Sequence, residues 1–303
     1  MDIPPPPEIS VVIASVNGFE SLGECLENLE REIADFPAAE ILVYDRCLDD
    51  TAARAEARFP FATIRHFGSA FSVPKLRGLA MAEAKGAIVV VIEDHCMVAE
   101  GWLRTIDFAC RESADCGVIG GAVENGSPER LMDRAVFLCE YSFSMLPLIR
   151  GVADGVTGNN VCYRREVLVG QDRRLLEDRW EYFLHQKLRE DGVRFFCAPE
   201  IVVYHRKEFG FGYFMAQRFH YSRSFSAMRA VEMSLPRRIV QAAATPLLPL
   251  LILRRMASQS SEKGQLGEFV RCLPLLLLFM VSYAVGEAAG SLLGAGKSLE
   301  EVE

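Results

Sequence analysis

Residues 87–95 read Ala-Ile-Val-Val-Val-Ile-Glu-Asp-His, and they carry the strongest signal for the fold. Its unbroken apolar run, entered through Lys85 and Gly86, predicts a strand that is covered on both faces, as in an α/β sheet. Ligands of such sheets bind at the carboxyl ends of the strands. Two carboxylates and an imidazole at that edge are suited to a divalent cation or to holding a hydroxyl group. An acidic turn after a core strand fits the same residues equally well.

The bulk composition limits the classes of function. The chain has 303 residues, a net charge of -8 and a pI near 5.3, so a general nucleic-acid binder, which needs a basic surface, is not expected. Nine cysteines at irregular spacing, with no Cys-x-x-Cys pair, indicate reduced thiols rather than a disulfide or zinc framework. Residues 1–8 form a proline-rich tail without the pattern of a signal peptide, which predicts that the following residues stay in the cytoplasm.

Strands and helices alternate on both sides of the opening stretch. Apolar and β-branched runs predict strands, and apolar residues at helical spacing predict the helices between them. The predicted elements before it are strands at 9–15, 40–44 and 62–66 and helices at 19–36 and 52–59, with a further helix ending at Ala84. This order is typical of a doubly wound, nucleotide-binding α/β half.

Polar side chains follow two of these predicted elements. Asp45 and Asp49 lie after the second strand, where carboxylates could hold the base and ribose of a nucleotide, or where one of them could cap the next helix. Lys75 and Arg77 precede a helix, a position that the helix dipole disfavours for cations. They therefore suit an anionic ligand such as a diphosphate, although two cations in a solvated loop are also compatible with the pattern.

These residues together resemble the family 2 glycosyltransferases of GT-A fold over residues 9–206. The resemblance is carried by five segments, which are residues 10–17, residues 40–45 with Asp49 and Thr51, residues 75–78, residues 93–95 and residues 101–103. It implies a mixed, mostly parallel sheet flanked by helices and a nucleotide-diphosphate sugar as donor substrate. It assigns donor binding to eight residues, namely Ser15, Asn17, Asp45, Asp49, Lys75, Arg77, Asp94 and Asn159.

The metal-binding place of the family departs from its usual Asp-x-Asp pattern. Here it is occupied by Glu93, Asp94 and His95, and a late histidine of the family is matched by His205. The resemblance implies a divalent cation, Mn²⁺ or Mg²⁺, held by Glu93, His95 and His205. An imidazole suits a transition ion and is a poor ligand for Mg²⁺. A purely structural role for each histidine stays open.

A catalytic base is implied further along the chain. Residues 157–160 resemble the Gly-x-Asn segment near the sugar, and a helix is predicted from about Leu176 to Glu190. Carboxylates at a helix start satisfy its dipole, but in the resembling family this pair supplies the base of an inverting transfer. The role falls on Asp178, with Glu177 beside it.

The carboxyl-terminal third changes in character. Residues 207–238 are basic and aromatic, which predicts an interfacial linker, and residues 239–296 predict hydrophobic, membrane-associated helices before a tail at 297–303. Leu273–Leu293 is long enough to cross a bilayer, whereas the segment 239–253 is short and contains Pro246 and Pro249. A hydrophobic hairpin packed on the catalytic domain or in an oligomer is the alternative.

The sequence thus predicts an inverting glycosyltransferase at the cytoplasmic face of the cell inner membrane, with a lipid or other hydrophobic acceptor. Two other functions fit the same residues. One is a catalytically silent, membrane-bound binding or assembly protein of the same fold, suggested by the Glu-Asp-His variant. The other is a nucleotidyltransferase, which shares an α/β core.

Overall fold

The computed structural model describes residues 6–303 and contains two compact units. Unit 1 comprises the described residues up to Glu124 together with Ser144–Arg206, and unit 2 comprises Asn125–Phe143 and Lys207–Glu303. The first five residues of the predicted proline-rich tail lie outside the described residues. The predicted domain 9–206 ends where unit 1 ends, but residues 125–143, predicted to belong to it, group with unit 2.

The sheet of unit 1 is mixed. Its strands are β1 (Ile9–Ser15), β2 (Ala39–Asp45), β3 (Ala62–His66), β4 (Ile88–Glu93), β5 (Cys96–Val98), β6 (Val118–Asn125), β7 (Gly151–Ala153), β8 (Val161–Arg164) and β9 (Phe195–His205). The order is β3-β2-β1-β4-β8-β6-β9-β5, with β7 beside β9. Strands β3, β2, β1 and β4 are parallel, and the β4–β8, β8–β6, β9–β5 and β9–β7 pairs are antiparallel. The predicted α/β fold is therefore confirmed.

Some of the helices flank this sheet, and the others form unit 2. They are α1 (Phe19–Asp35), α2 (Thr51–Arg58), α3 (Val73–Glu83), α4 (Trp102–Glu112), α5 (Leu131–Tyr141), α6 (Arg165–Leu168), α7 (Arg173–Glu177), α8 (Glu181–Glu190), α9 (Phe211–Ala230), α10 (Leu235–Ala244), α11 (Leu248–Glu262) and α12 (Leu266–Leu293). A 3-10 turn, Thr245–Leu247, joins α10 to α11. Of these helices, α5 and α9 to α12 belong to unit 2.

The core positions the polar ends of the central strands. All seven residues of β1 and the five apolar residues of β4 are buried, because helices cover both faces of these strands. The register pairs Ser15 with Asp45, Asp45 with His66, and Ala14 with Glu93. Since the four strands are parallel, their carboxyl ends bring these side chains to one edge of the sheet.

Three predicted elements differ from the structure, and the first is α3, which begins at Val73 and so contains Lys75 and Arg77, the residues predicted to precede it. The predicted helix from Leu176 to Glu190 is two helices, because α7 ends at Glu177 and α8 begins at Glu181. The predicted strands on either side of Pro199 are one strand, β9. Pro199 lies between the residues of β9 that pair with β7 and those that pair with β5, a place where its missing N–H breaks neither of these ladders.

Unit 2 is helical. The predicted interfacial linker is largely the regular helix α9, which packs along α12. Two helical stretches, Leu235–Glu262 and Leu266–Leu293, are long and apolar enough to cross a membrane by length and composition. A buried helix of a soluble protein passes the same test.

Candidate active site

Asp45 lies fully buried at the end of β2, between the ends of its two neighbouring strands. Its Oδ1 accepts a hydrogen bond from Ser15 Oγ at 2.8 Å, and its Oδ2 lies 2.8 Å from His66 Nδ1. An ionised carboxylate can only accept, so His66 Nδ1 carries the hydrogen of this contact. The parallel register therefore fixes Asp45 in place before any ligand binds.

Asp49 is exposed in the loop that leads to α2. Its carboxylate accepts hydrogen bonds from the hydroxyl of Thr51 and from the backbone N–H of Thr51, the latter at 3.0 Å. These bonds hold the pKa of Asp49 below its ordinary value. The side chain thus stabilises the start of α2, which is one of the two roles that fit its position in the sequence. Its other role, in nucleotide binding, stays a prediction.

Asp94 is buried, and both of its carboxylate oxygens accept hydrogen bonds. It accepts from the backbone N–H groups of Val16 and Asn17 at 2.7 and 2.9 Å, and from Asn17 Nδ2 at 2.7 Å. Its fourth contact is His95 Nδ1, at 2.8 Å. Burial alone would raise the pKa of Asp94, but the contact with His95 and the other donors outweigh burial and lower it. Asp94 therefore holds the loop after β1 and orients the ring of His95.

Glu93, His95 and His205 form a possible metal site. One ligand atom from each side chain lies within 4.8 Å of the others, because the β5–β9 pairing brings His205 beside the end of β4. The two Nε2 atoms are 2.8 Å apart, and Glu93 Oε2 is 3.5 Å from that of His95 and 3.9 Å from that of His205. Asn159 Nδ2 donates to Glu93 Oε2 at 2.8 Å.

This donor set fits a transition ion. The contact with Asp94 at Nδ1 orients the ring of His95 so that its Nε2 faces the cluster. Two imidazoles and one carboxylate suit Mn²⁺ better than Mg²⁺, which prefers oxygen ligands. The residues present are therefore compatible with the divalent cation that the sequence implies.

Lys75 and Arg77, the cations predicted to hold a diphosphate, face carboxylates on neighbouring elements. Lys75 forms an ion pair with Glu177, which also pairs with Arg173. Arg77 lies 3.3 Å from Glu93 and 3.8 Å from Glu181. Burial would raise the pKa of Glu177, but the two cations beside it lower the pKa below its ordinary value. Both cations thus join the first two turns of α3 to acidic groups around the site.

A small cleft opens beside Arg77. Its lining includes apolar side chains of α3, α7 and β4 and the polar groups of Arg77, Tyr163, Arg179 and Glu181. Tyr163 Oη lies 2.7 Å from His185 Nε2, and burial, with the nearby Arg189, lowers the pKa of His185 to about 4. His185 is therefore neutral, and its contact holds Tyr163, which lines the cleft, in place.

Asp178, the predicted base, lies at the carboxyl end of α7 and is exposed. Glu181, which the sequence analysis missed, begins α8 and lines the cleft. Its side chain packs on Gly158, where a Cβ atom would overlap it. The signal that could have found it is Asp172, whose side chain accepts from the N–H of Arg174 and so starts a separate short helix before α8.

The other predicted site residues form a connected set of contacts. Ser15 contacts Asp45, Asn17 contacts Asp94, and Asn159 contacts Glu93 beside the two histidines. The exposed Asp49 and Asp178 have their carboxylates outside this set. The structure therefore gathers most of the predicted donor and metal residues at the carboxyl edge of the parallel strands.

The sequence and the fold are both similar to known proteins. The sequence pattern of "Glycosyl transferase family 2" matches residues 10–180. The fold is similar to that of the mannosyltransferase PcManGT from Pyrobaculum calidifontis in complex with GDP-Man and Mn²⁺, at 16% identity and a TM-score of 0.52, over 89% of this chain and 87% of that one. It is also similar to residues 1–349 of TarS from S. aureus, at 13% identity and a TM-score of 0.53, over 93% and 90% of the two chains. The same TarS fragment in complex with UDP gives 15% identity and a TM-score of 0.52, over 93% of this chain and 90% of that one. No curated protein sequence matches the chain.

Proposed function

The chain belongs to glycosyl transferase family 2, and we propose that it is an inverting glycosyltransferase that acts on a lipid or other hydrophobic acceptor. A nucleotide-sugar glycosyltransferase is what the family and the fold support. Inversion, the acceptor and the residue roles are our proposal. The observation that carries it is the cluster of Glu93, His95 and His205 at the sheet edge that also holds Asp45.

Asp45, Ser15 and Asn17 are proposed to bind the nucleoside. The buried Asp45 presents a fixed acceptor for base or ribose donors at the end of β2. Asp49 lies nearby in sequence and is free of the sheet, so it is placed to contact the ribose only after the loop adjusts. The two neighbouring proteins solved with GDP-Man and with UDP make a nucleoside diphosphate the natural first ligand to test.

Lys75 and Arg77 are proposed to hold the diphosphate. Asp94 is proposed to contribute to donor binding by orienting His95. Glu93, His95 and His205 would hold a divalent cation, which would supply positive charge beside the diphosphate of the donor. Binding of the anionic donor would replace the present carboxylate partners of Lys75 and Arg77. Asn159, on Glu93, keeps that carboxylate aimed at the cluster.

One carboxylate must take the proton of the acceptor. As the acceptor oxygen attacks the anomeric carbon, the bond from that carbon to the diphosphate oxygen breaks, and the nucleoside diphosphate leaves with the bonding electrons. Asp178, with Glu177 beside it, is the base that the family resemblance implies. Glu177 is committed to Lys75 and Arg173, and Asp178 is exposed, so the cleft position of Glu181 makes it the stronger candidate.

The acceptor and the location rest on unit 2. Its two long apolar helical stretches support attachment to a membrane, and the basic residues Arg254, Arg255 and Lys263 beside them support the cytoplasmic face of the inner membrane. A hydrophobic acceptor would be presented at that surface. An oligomer in which these helices pack on one another is the competing use of the same apolar surface.

The test is a titration of the purified protein with UDP, GDP and their sugar derivatives, each with Mn²⁺, with Mg²⁺ and with a chelator. Stabilisation by one nucleotide with Mn²⁺ is expected, followed by release of that nucleoside diphosphate when donor and a lipid acceptor are combined. Release of inorganic pyrophosphate would identify a nucleotidyltransferase instead. A folded protein that responds to none of these ligands would support the silent binding protein.

A further inference from the structure

Helix α12 has one face that is apolar and uncovered over its whole carboxyl-terminal part. From Leu273 to Leu293 every exposed residue is apolar, and the exposed side chains recur at helical spacing, as in Leu273, Leu277, Val281, Val285 and Leu292. These 21 residues of α12 are about 31 Å long at 1.5 Å per residue, which by itself matches a bilayer-spanning helix.

The opposite face of α12 is covered by α9, which runs in the same direction. Phe214 and Phe279 rings are 4.6 Å apart, Ser282 Oγ donates to the carbonyl of Met215 at 2.7 Å, and Gly286 faces the carbonyl of Phe219. Residues near 214 of α9 are therefore level with residues near 280 of α12, close to the middle of its apolar stretch.

The tail after α12 folds back along α9 and carries charges to this same level. Arg223 Nε donates to the carbonyl of Gly294, His220 lies 3.1 Å from Ser298, and Gln217 Nε2 donates to the carbonyl of Glu301. Tyr213 Oη donates to Glu303 at 2.6 Å and accepts from Lys207 Nζ at 2.9 Å. The exposed Glu301 and Glu303 thus lie beside the turn of α9 that packs on Phe279 and Ser282.

From this arrangement we propose that α12 lies in the plane of an anionic bilayer, with its apolar face in the acyl region, and does not span the membrane. A spanning α12 would place Lys207, Glu301 and Glu303 near the bilayer centre, where charged side chains are strongly disfavoured. A helix in the interface keeps the polar tail and α9 on the aqueous side. The inference refines the membrane attachment proposed above and rests on it.

The charges around the apolar surface specify the kind of bilayer. The exposed apolar side chains of Leu250 and Leu251 on α11 are followed at helical spacing by the exposed Arg254 and Arg255, and Arg271, which pairs with Glu268, is exposed near the start of α12. Long cationic side chains beside an apolar face reach lipid phosphates. The partner is therefore a surface that contains anionic lipid, rather than a second apolar protein face.

The first test is flotation of the full chain with vesicles of phosphatidylcholine, with and without phosphatidylglycerol. We expect binding that needs the anionic lipid, and a fall of more than about tenfold for the double variant V281E/V285E. F108E is the matched control, because Phe108 is also an exposed apolar residue but lies on α4 of unit 1. Dimerisation through this face without flotation of the wild type, or unchanged flotation of the double variant, overturns the proposal.

The second test separates lying in the interface from spanning. Protease sites are introduced at Gly264, in the turn between α11 and α12, and after Glu303, and sealed inside-out membrane vesicles are treated from outside. An in-plane helix predicts cleavage at both sites, whereas protection of either site shows a spanning segment and overturns the proposal. Nucleoside diphosphate binding, measured in the same samples after detergent is added, reports on the proposed function independently.

Discussion

Two acidic residues next to the cleft, Asp178 and Glu181, are three positions apart and differ in surroundings. Glu181 lines the cleft and lies 3.8 Å from Arg77, whereas Asp178 is exposed. We expect E181Q to lower kcat by about 10²–10⁴-fold, because the amide cannot take the acceptor proton. D178N should keep kcat within about threefold of wild type, since solvent already surrounds that carboxylate.

The measurement is the initial rate at saturating donor, with nucleotide affinity determined separately for each variant. E190Q serves as the control, because Glu190 is an exposed carboxylate on the same helix. An inactive D178N beside an active E181Q would return the role of base to Asp178. Loss of nucleotide binding in E181Q would instead assign Glu181 to the donor site.

Glu177 gives a prediction about pH and stability. Its side chain is 4% exposed and pairs with Lys75 and Arg173, whose charges lower its pKa despite burial. E177Q should lower the free energy of unfolding at pH 7 by roughly 1–3 kcal/mol, because Lys75 loses its buried partner. A carboxyl group whose pKa is lower in the folded state than in the unfolded state contributes its full stabilisation above the ordinary glutamate pKa of about 4.3. This contribution decreases as the pH falls through the folded-state pKa.

The difference between wild type and E177Q should therefore shrink below about pH 4. Urea unfolding at pH 7 and at acidic pH measures it. D191N is the comparison, because Asp191 pairs with Lys187 on an exposed face, and it should change stability by less than about 0.5 kcal/mol. A loss in E177Q that stayed the same at every pH would point to packing rather than charge.

At the scale of elements, the contact between α3 and α7 depends on a glycine. A Cβ atom at Gly78 would overlap the carbonyl of Leu176 and the side chain of Glu177. Glycine to alanine in a helix interior normally stabilises a protein by about 0.5–1 kcal/mol. Here we expect the opposite sign, a loss of roughly 1–3 kcal/mol, together with lower activity, because α7 must move away from Lys75.

Denaturant unfolding of G78A measures this effect, and G212A is its control. Gly212 lies in α9 with no heavy atom within 4 Å of the added Cβ, so G212A should be neutral or slightly stabilising. Equal stabilisation by both substitutions would mean that α3 and α7 do not pack closely in solution.

The sequence predicts those elements whose pattern lies within a few consecutive residues, and it does not predict features that depend on distant residues. The runs at Ile9–Ser15 and Ala62–His66 gave the observed strand bounds, because buried strands need continuous apolar residues. The break between α7 and α8 was missed, since acidic residues at 177, 178 and 181 all suit a helix start. The partners of Arg77, on β4 and α8, depend on tertiary packing and leave no local pattern.

In the whole molecule, the order of the elements along the chain differs from their division into the two units. Residues 125–143 follow β6 without a linker-like composition, yet α5 packs in unit 2. Its ion pairs with α12 and α9, Arg134 with Glu268 and Glu140 with Arg218, join residues far apart in the sequence. A change in composition marks residue 206 in the sequence, whereas the grouping of residues 125–143 with unit 2 depends on partners that come together only in the folded chain.

This division provides an optical probe for the metal and nucleotide site. The chain has two tryptophans, Trp102 and Trp180, and both are buried in unit 1. Trp102 Nε1 donates to Asn160 at 3.2 Å, next to the Asn159 that contacts Glu93. Thermal unfolding followed by tryptophan fluorescence therefore reports on the unit that carries the site, whatever happens to the helices of unit 2.

A nucleoside diphosphate at about 100 times its Kd stabilises the folded state by about 2.7 kcal/mol, which for a unit of this size raises Tm by roughly 5–10 °C. With UDP or GDP we expect this rise in Tm in the presence of Mn²⁺ and a smaller rise with Mg²⁺, because imidazole donors favour a transition ion. H205A should show no rise, because it removes one of these imidazoles. D94N should shift the Mn²⁺ dependence to about 10–100-fold higher concentration, since it removes the carboxylate that orients His95. An equal rise in the presence of a chelator would show that the nucleotide binds without the ion, and the two histidines would then be structural.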